Sequence, residues 1–147
     1  MKKFKFSLQK VLEYNTHIQR REKEILAVMR AEYNELEGQL AQLMSEYELN
    51  RMNYLNKCIK GTSINNIAVM LIYIEMIKKK MKNLKKTMEE KKLLIDKQID
   101  KLVQVSKEKT TTEKLREGKY EQYRACERKS EEKFIEEFIA YINSAVE

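Results

Sequence analysis

Few residues in this chain could do chemistry. His17 is its only histidine, and Glu13 stands one helical turn before it. On a helix the two would share a face and offer a pair of metal ligands. No third ligand of suitable spacing follows, so a solvated histidine is the simpler account. Cys58 and Cys126 stand alone, without CxxC or CxxH spacing. There is no glycine-rich phosphate loop. Carboxylates are plentiful, but they fall on what read as helix surfaces, with no cleft to seat an acid–base pair. The sequence thus predicts no enzyme, no bound metal and no cofactor.

The densest charge run is Lys78, Lys79, Lys80, Lys82, Lys85, Lys86, Lys91 and Lys92, with Glu89 and Glu90 among them. Such a run can contact phosphates. Met81, Leu84 and Met88 within it keep an apolar spacing, so a solvated helix face explains it equally simply. No aromatic stacking platform accompanies it, and no nucleic-acid partner is expected. The formal net charge of +7 permits an acidic protein, an anionic membrane surface or nucleic acid, and selects none of them.

The elements that position these residues are long helices. Charged residues make up 36% of the 147 and aromatics only 8%, too polar a mix for a thick core but suited to a narrow seam between helices. There is no proline, and one of three glycines sits in Gly61-Thr62-Ser63-Ile64-Asn65-Asn66. Gly61 can take positive φ and end a helix, and Thr62 or Ser63 can cap the next one. The predicted fold is all-α, a long antiparallel two-helix coiled-coil hairpin. It forms one domain over residues 1–147: arm one 4–60, tip 61–66, arm two 64–130 and an amphipathic tail 131–147.

Arm one steps in threes and fours through Phe4, Leu8, Val11, Asn15, Ile18, Glu22, Ile25 and Met29. After one extra four-step to Tyr33 it continues through Leu36, Leu40, Leu43, Tyr47, Asn50 and Tyr54. This is heptad spacing with one stutter, and Asn15, Glu22 and Asn50 are polar seam positions of the kind that fix register. Arm two steps through Ile67, Leu71, Ile74, Ile77, Met81, Leu84, Met88, Ile95, Ile99, Leu102 and Val105. With the tip near residue 62, position i faces roughly position 125 − i. Apolar then meets apolar along the middle of the hairpin, and Cys58 and Cys126 fall far outside disulfide reach. The run Ile67 to Ile74 is apolar on more than one face. Either the chain bends near the tip and packs a short extra helix there, or part of this surface awaits a partner. The run is too short to span a bilayer, and no signal peptide is apparent, so a soluble cytoplasmic protein without direct membrane insertion is expected.

From Ser106 to Lys133 the apolar anchors thin to Leu115, Tyr120, Tyr123 and Cys126, and Thr110-Thr111-Thr112 is a weak point for helix. The tail is amphipathic again. Phe134, Phe138, Tyr141 and Ala145 form one stripe, and Ile135, Ile139, Ile142 and Val146 form its neighbour. By the facing rule the tail lies past the start of arm one and has nothing in its own chain to pair with. It is an interaction element or a fold-back.

Several short motifs in order resemble the FliJ family, the small coiled-coil component of the flagellar type III export apparatus. They are Phe4-Lys5-Phe6-Ser7-Leu8 with Val11-Leu12, Gln39-Leu40 with Leu43 and Tyr47, Tyr73-Ile74 with Ile77, and the charged stretch from Glu113-Lys114-Leu115-Arg116-Glu117 through Glu136-Glu137-Phe138. The resemblance covers nearly the full length and implies a non-enzymatic export factor, similar in architecture to the central stalk of rotary ATPases. It implies that the end carrying both termini engages the hexameric export ATPase FliI, making Phe4, Phe6, Leu8, Phe134, Phe138, Tyr141 and Ile142 candidate contacts. It implies that the tip half contacts the export gate protein FlhA, with Gln39, Leu43, Tyr47, Tyr73 and Ile77 as candidates. Export chaperones are further implied partners, and the implied location is the cytoplasmic face of the membrane, held peripherally at the export apparatus. Read from the residues alone, Leu43, Tyr47 and Ile77 are also seam positions. A structural or tethering coiled coil, dimerising through its tail, is the alternative reading, and a basic nucleic-acid binder a weaker one.

Overall fold

A computed structural model describes residues 2–146. Two helices account for nearly all of them: α1, Gln9–Lys60, and α2, Ile64–Val146. They pack against each other as a helical hairpin. Three residues make the turn. Gly61 has φ of 84°, the left-handed conformation that ends a helix, and its N–H donates to the Lys57 carbonyl at 3.0 Å. Lys57 and Lys60 occupy the last turn of α1, where cations complement the helix dipole. Ser63 caps α2: its Oγ accepts from the Asn66 N–H at 3.3 Å, and the Asn66 side-chain amide donates to Thr62 Oγ1 at 3.2 Å.

The chain divides into two compact units. One comprises Glu22–Lys101 and holds the turn; the other comprises the residues up to Arg21 and those from Leu102 onwards, and holds both ends. In the turn-bearing unit the seam buries Leu26, Ile74, Ile77, Met88 and Ile95, with Ile77 deepest. The pairing Glu32–Lys91 and the hydrogen bond from Tyr73 to Glu46 cross between the helices and fix them antiparallel. Two details depart from the sequence reading. Ile25 is 37% exposed and Leu26 is buried instead, so the extra four-step falls between Glu22 and Leu26, not between Met29 and Tyr33. Both residues are apolar neighbours, and the step of four puts Leu26 on the same face as Glu22. Met70 is likewise half-buried while Leu71 is exposed. The 67–74 run lies inside an uninterrupted α2, and its outer members Val69, Leu71 and Ile72 stay exposed.

Glu22 is the one charged residue that is buried among the described residues. It accepts from Gln98 Nε2 on its carboxylate and pairs with Lys101 Nζ at 3.3 Å, and the same Gln98 amide donates to the Glu22 carbonyl at 3.1 Å. Asn50 instead satisfies itself along its own helix, donating to the Glu46 carbonyl at 2.7 Å.

The end-bearing unit starts with a non-helical lead of residues 2–8 before α1 begins at Gln9. Phe4 therefore reaches its partners from an extended segment, not from a heptad position. Its ring meets Tyr120 edge-on with centroids 5.2 Å apart and Tyr123 at 5.5 Å, with the Arg116 guanidinium 5.7 Å from the Phe4 centroid. The Tyr123 hydroxyl donates to the Lys2 carbonyl at 2.9 Å. Gln19 donates to Ser106 Oγ at 3.0 Å and accepts from Lys109 Nζ at 3.0 Å, and Arg116 Nε donates to Gln9 Oε1 at 3.2 Å. The pairs Gln19–Ser106, Arg116–Gln9 and Tyr123–Lys2 are those the facing rule names. The threonine run does not break α2; Thr111 and Thr112 turn their hydroxyls back onto the Lys107 and Glu108 carbonyls. Cys58 and Cys126 are free and exposed.

Candidate functional site

Nothing in the described residues resembles a reaction centre. Glu13 and His17 are exposed, and no group of three histidine, cysteine or acidic side chains stands ready to hold a metal among the described residues. No described helix is long and apolar enough to cross a membrane. What the fold presents is surface, and it presents three distinct kinds.

The first is the tail. α2 continues to Val146 with every residue from Ser130 onwards exposed. Phe134 and Tyr141 are each 70% exposed, and Phe138 and Ile142 are exposed beside them. Phe134 and Phe138, one turn apart, stack with centroids 6.5 Å apart. The helix thus carries two adjacent apolar stripes that are exposed along their length. The lead residues of the same unit are better covered: Phe4 and Phe6 are half-buried and Leu8 is exposed.

The second surface is the middle of the turn-bearing unit, where the other sequence-derived candidates lie. Gln39 and Tyr73 are exposed, Leu43 and Tyr47 are half-buried, and Ile77 is 2% exposed. Lys78 Nζ sits 5.8 Å from the centre of the Tyr47 ring. The Tyr73 hydroxyl donates to Glu46, and that bond to a carboxylate, together with the carboxylate's charge, raises the Tyr73 pKa above the ordinary tyrosine value. A similar rise at Tyr54 comes from its hydrogen bond and charge interaction with Cys58. Gln39 and Tyr73 are thus the exposed members of this set, and Ile77 lies inside the seam.

The third surface was read only in part in the sequence: the run Ile67 to Ile74 stood out as apolar on more than one face, and the α1 stripe beside it did not. Near the turn, Leu49, Met52, Leu55 and Ile59 of α1 and Ile64, Val69, Ile72 and Met76 of α2 are all exposed. In α1 these follow steps of three and four beside the seam residues Tyr47, Asn50 and Tyr54, so a second apolar stripe was present in the spacing and was masked by the first.

The family model described as the Flagellar FliJ protein matches residues 4–145. Neither the curated proteins nor the solved structures contain a match. With a match of that extent on a two-helix hairpin that exposes docking faces, the chain belongs to the FliJ family and has a non-enzymatic role in the flagellar export apparatus.

Proposed function

We propose that the chain couples the hexameric export ATPase FliI to the export gate protein FlhA, as a central-stalk-like coiled coil on the cytoplasmic face of the membrane, and that it also receives export chaperones. The observation that carries this reading is the tail: two exposed apolar stripes on the unit that holds both ends of the chain. An amphipathic helix with no partner in its own fold is suited to a groove in another protein. Phe134, Phe138, Tyr141 and Ile142 make the ATPase contact, with Phe4, Phe6 and Leu8 beside the start of α1. Gln39 and Tyr73 touch the gate, and Leu43, Tyr47 and Ile77 hold the seam that presents them.

The test is the rate of ATP hydrolysis by the cognate flagellar ATPase, alone, with the full chain and with a chain ending at Lys129. Stimulation by the full chain that the shorter one loses supports the reading and places the contact in the tail. Stimulation retained by both moves the contact to the lead residues. No stimulation by the folded full chain sinks the coupling role; a tail-dependent homodimer in sedimentation would then identify a tethering coiled coil.

A further inference from the structure

We infer that the outer face of α2 beside the turn adsorbs on an anionic lipid surface, its apolar half entering the headgroup boundary and its lysine half contacting lipid phosphates. The inference is independent of the ATPase and gate contacts and rests on the distribution of charge and exposure within the turn-bearing unit. Residues 57–86 contain eight lysines and one carboxylate, Glu75, a formal +7 that equals the net charge of the whole chain. The remaining residues are balanced. The facing stretch of α1, residues 39–56, adds only Glu46, Glu48 and Arg51. Glu46 accepts from Tyr73, Glu48 pairs with Arg51, and Glu75 pairs with Lys78, so each local carboxylate already has a partner.

The cations share a helix face with the exposed apolar residues. Val69, Ile72, Met76, Lys79, Asn83 and Lys86 follow at steps of three and four, the stripe opposite the buried Ile74, Ile77 and Met88. A shallow depression on this face is lined by Leu71, Ile72 and Met76 together with Lys78, Lys79 and Lys82, and by Glu75, whose charge Lys78 meets. Val69 and Ile72 are 66% and 63% exposed. An apolar stripe running into lysines with little net hydrophobicity is the composition of a helix that lies in the membrane interface. Lysine stems can extend along the apolar surface while their ammonium groups reach the phosphates. Nucleic acid would use the cations and leave Val69, Ile72 and Met76 in water, so the pairing of the two halves favours lipid.

Co-sedimentation of the full chain with vesicles tests this. Vesicles containing phosphatidylglycerol should bind it and pure phosphatidylcholine vesicles should not, with binding weakened by salt. Lys79→Glu/Lys82→Glu/Lys86→Glu should weaken binding more than about tenfold, each lysine near an anionic surface being worth a several-fold factor. Ile72→Ser/Met76→Ser should weaken it roughly tenfold through lost apolar burial. All five substituted positions are exposed, and retained helicity by circular dichroism is the control for folding. Equal binding to neutral vesicles, or undiminished binding by either variant, overturns the inference. So does duplex DNA bound as tightly as vesicles and unaffected by Ile72→Ser/Met76→Ser, which would assign the face to nucleic acid.

Discussion

The two units of the hairpin use the same pair of helices and hold them together by different means. All the buried apolar residues, Leu26, Ile74, Ile77, Met88 and Ile95, belong to the unit that contains the turn. Among its described residues, the unit with the chain ends has no buried side chain; aromatic contacts tie the lead segment to α2, and polar pairs such as Gln19–Ser106 and Arg116–Gln9 cross between its helices. Apolar burial is worth about 25 cal/mol per Å² removed from water, whereas exposed polar pairs typically contribute under about 1 kcal/mol each. The apolar stability of the hairpin is thus concentrated in the turn-bearing unit.

The sharpest way to break that comparison is Ile77→Ala. Removing the most buried side chain from a seam with little else to collapse onto should cost about 2–4 kcal/mol in urea unfolding. A cost no larger than that of a substitution in the other unit would refute the division of labour. Next is Glu22→Ala, which removes the carboxylate that Gln98 and Lys101 both meet. It should cost about 1–2 kcal/mol in the same measurement, and Glu22→Leu less, since leucine refills the vacated volume with apolar side chain. A Glu22→Leu variant more damaging than Glu22→Ala would show that the carboxylate does more than satisfy its neighbours.

Phe4→Ala should have a smaller effect, about 1 kcal/mol from the lost contacts with Tyr120 and Tyr123. Its signature should be faster amide exchange confined to residues 2–21 and 102–125, with the amides around Ile77 unchanged. Uniformly faster exchange would mean that the aromatic cluster supports the whole hairpin. Smallest is Tyr73→Phe, which should leave the urea midpoint at neutral pH nearly unchanged. The raised Tyr73 pKa means that its bond to Glu46 helps the fold below the ordinary tyrosine pKa and is lost as pH rises through the raised value. Spectroscopic titration of tyrosinate should therefore lose a late-titrating component in Tyr73→Phe. Loss of an ordinary component instead would remove the Glu46 interaction.

The fold was legible where one rule applied at a time. Heptad steps, Gly61 and the Ser63 cap located both helices and the turn. Legibility failed where two apolar residues stand side by side, as at Ile25-Leu26 and Met70-Leu71, because a step of three and a step of four are then equally apolar. It also failed at Phe4, where spacing alone suggested a helical heptad position and the chain is extended. Lys91 falls on a seam position between Met88 and Ile95 and is accepted there because Glu32 on α1 meets it; no rule of apolar periodicity finds such a residue. The sequence marked the tail as unpaired, and its apolar stripes are exposed. For the gate-facing set, motif order identified the region. The heptad steps put Ile77 in the seam and left Tyr73 off it, and the structure buries the first and exposes the second.

The turn has one more consequence. A β-carbon added at Gly61 would meet no heavy atom within 4 Å, so space does not reserve that position for glycine. Only the sign of φ does, and an L-residue in that region costs roughly 1–2 kcal/mol. The reversal of the chain is thus guarded by handedness alone. A mirror-image residue, D-alanine, should fit residue 61 without strain and, by restricting the unfolded chain, make the hairpin more stable, where L-alanine would weaken it.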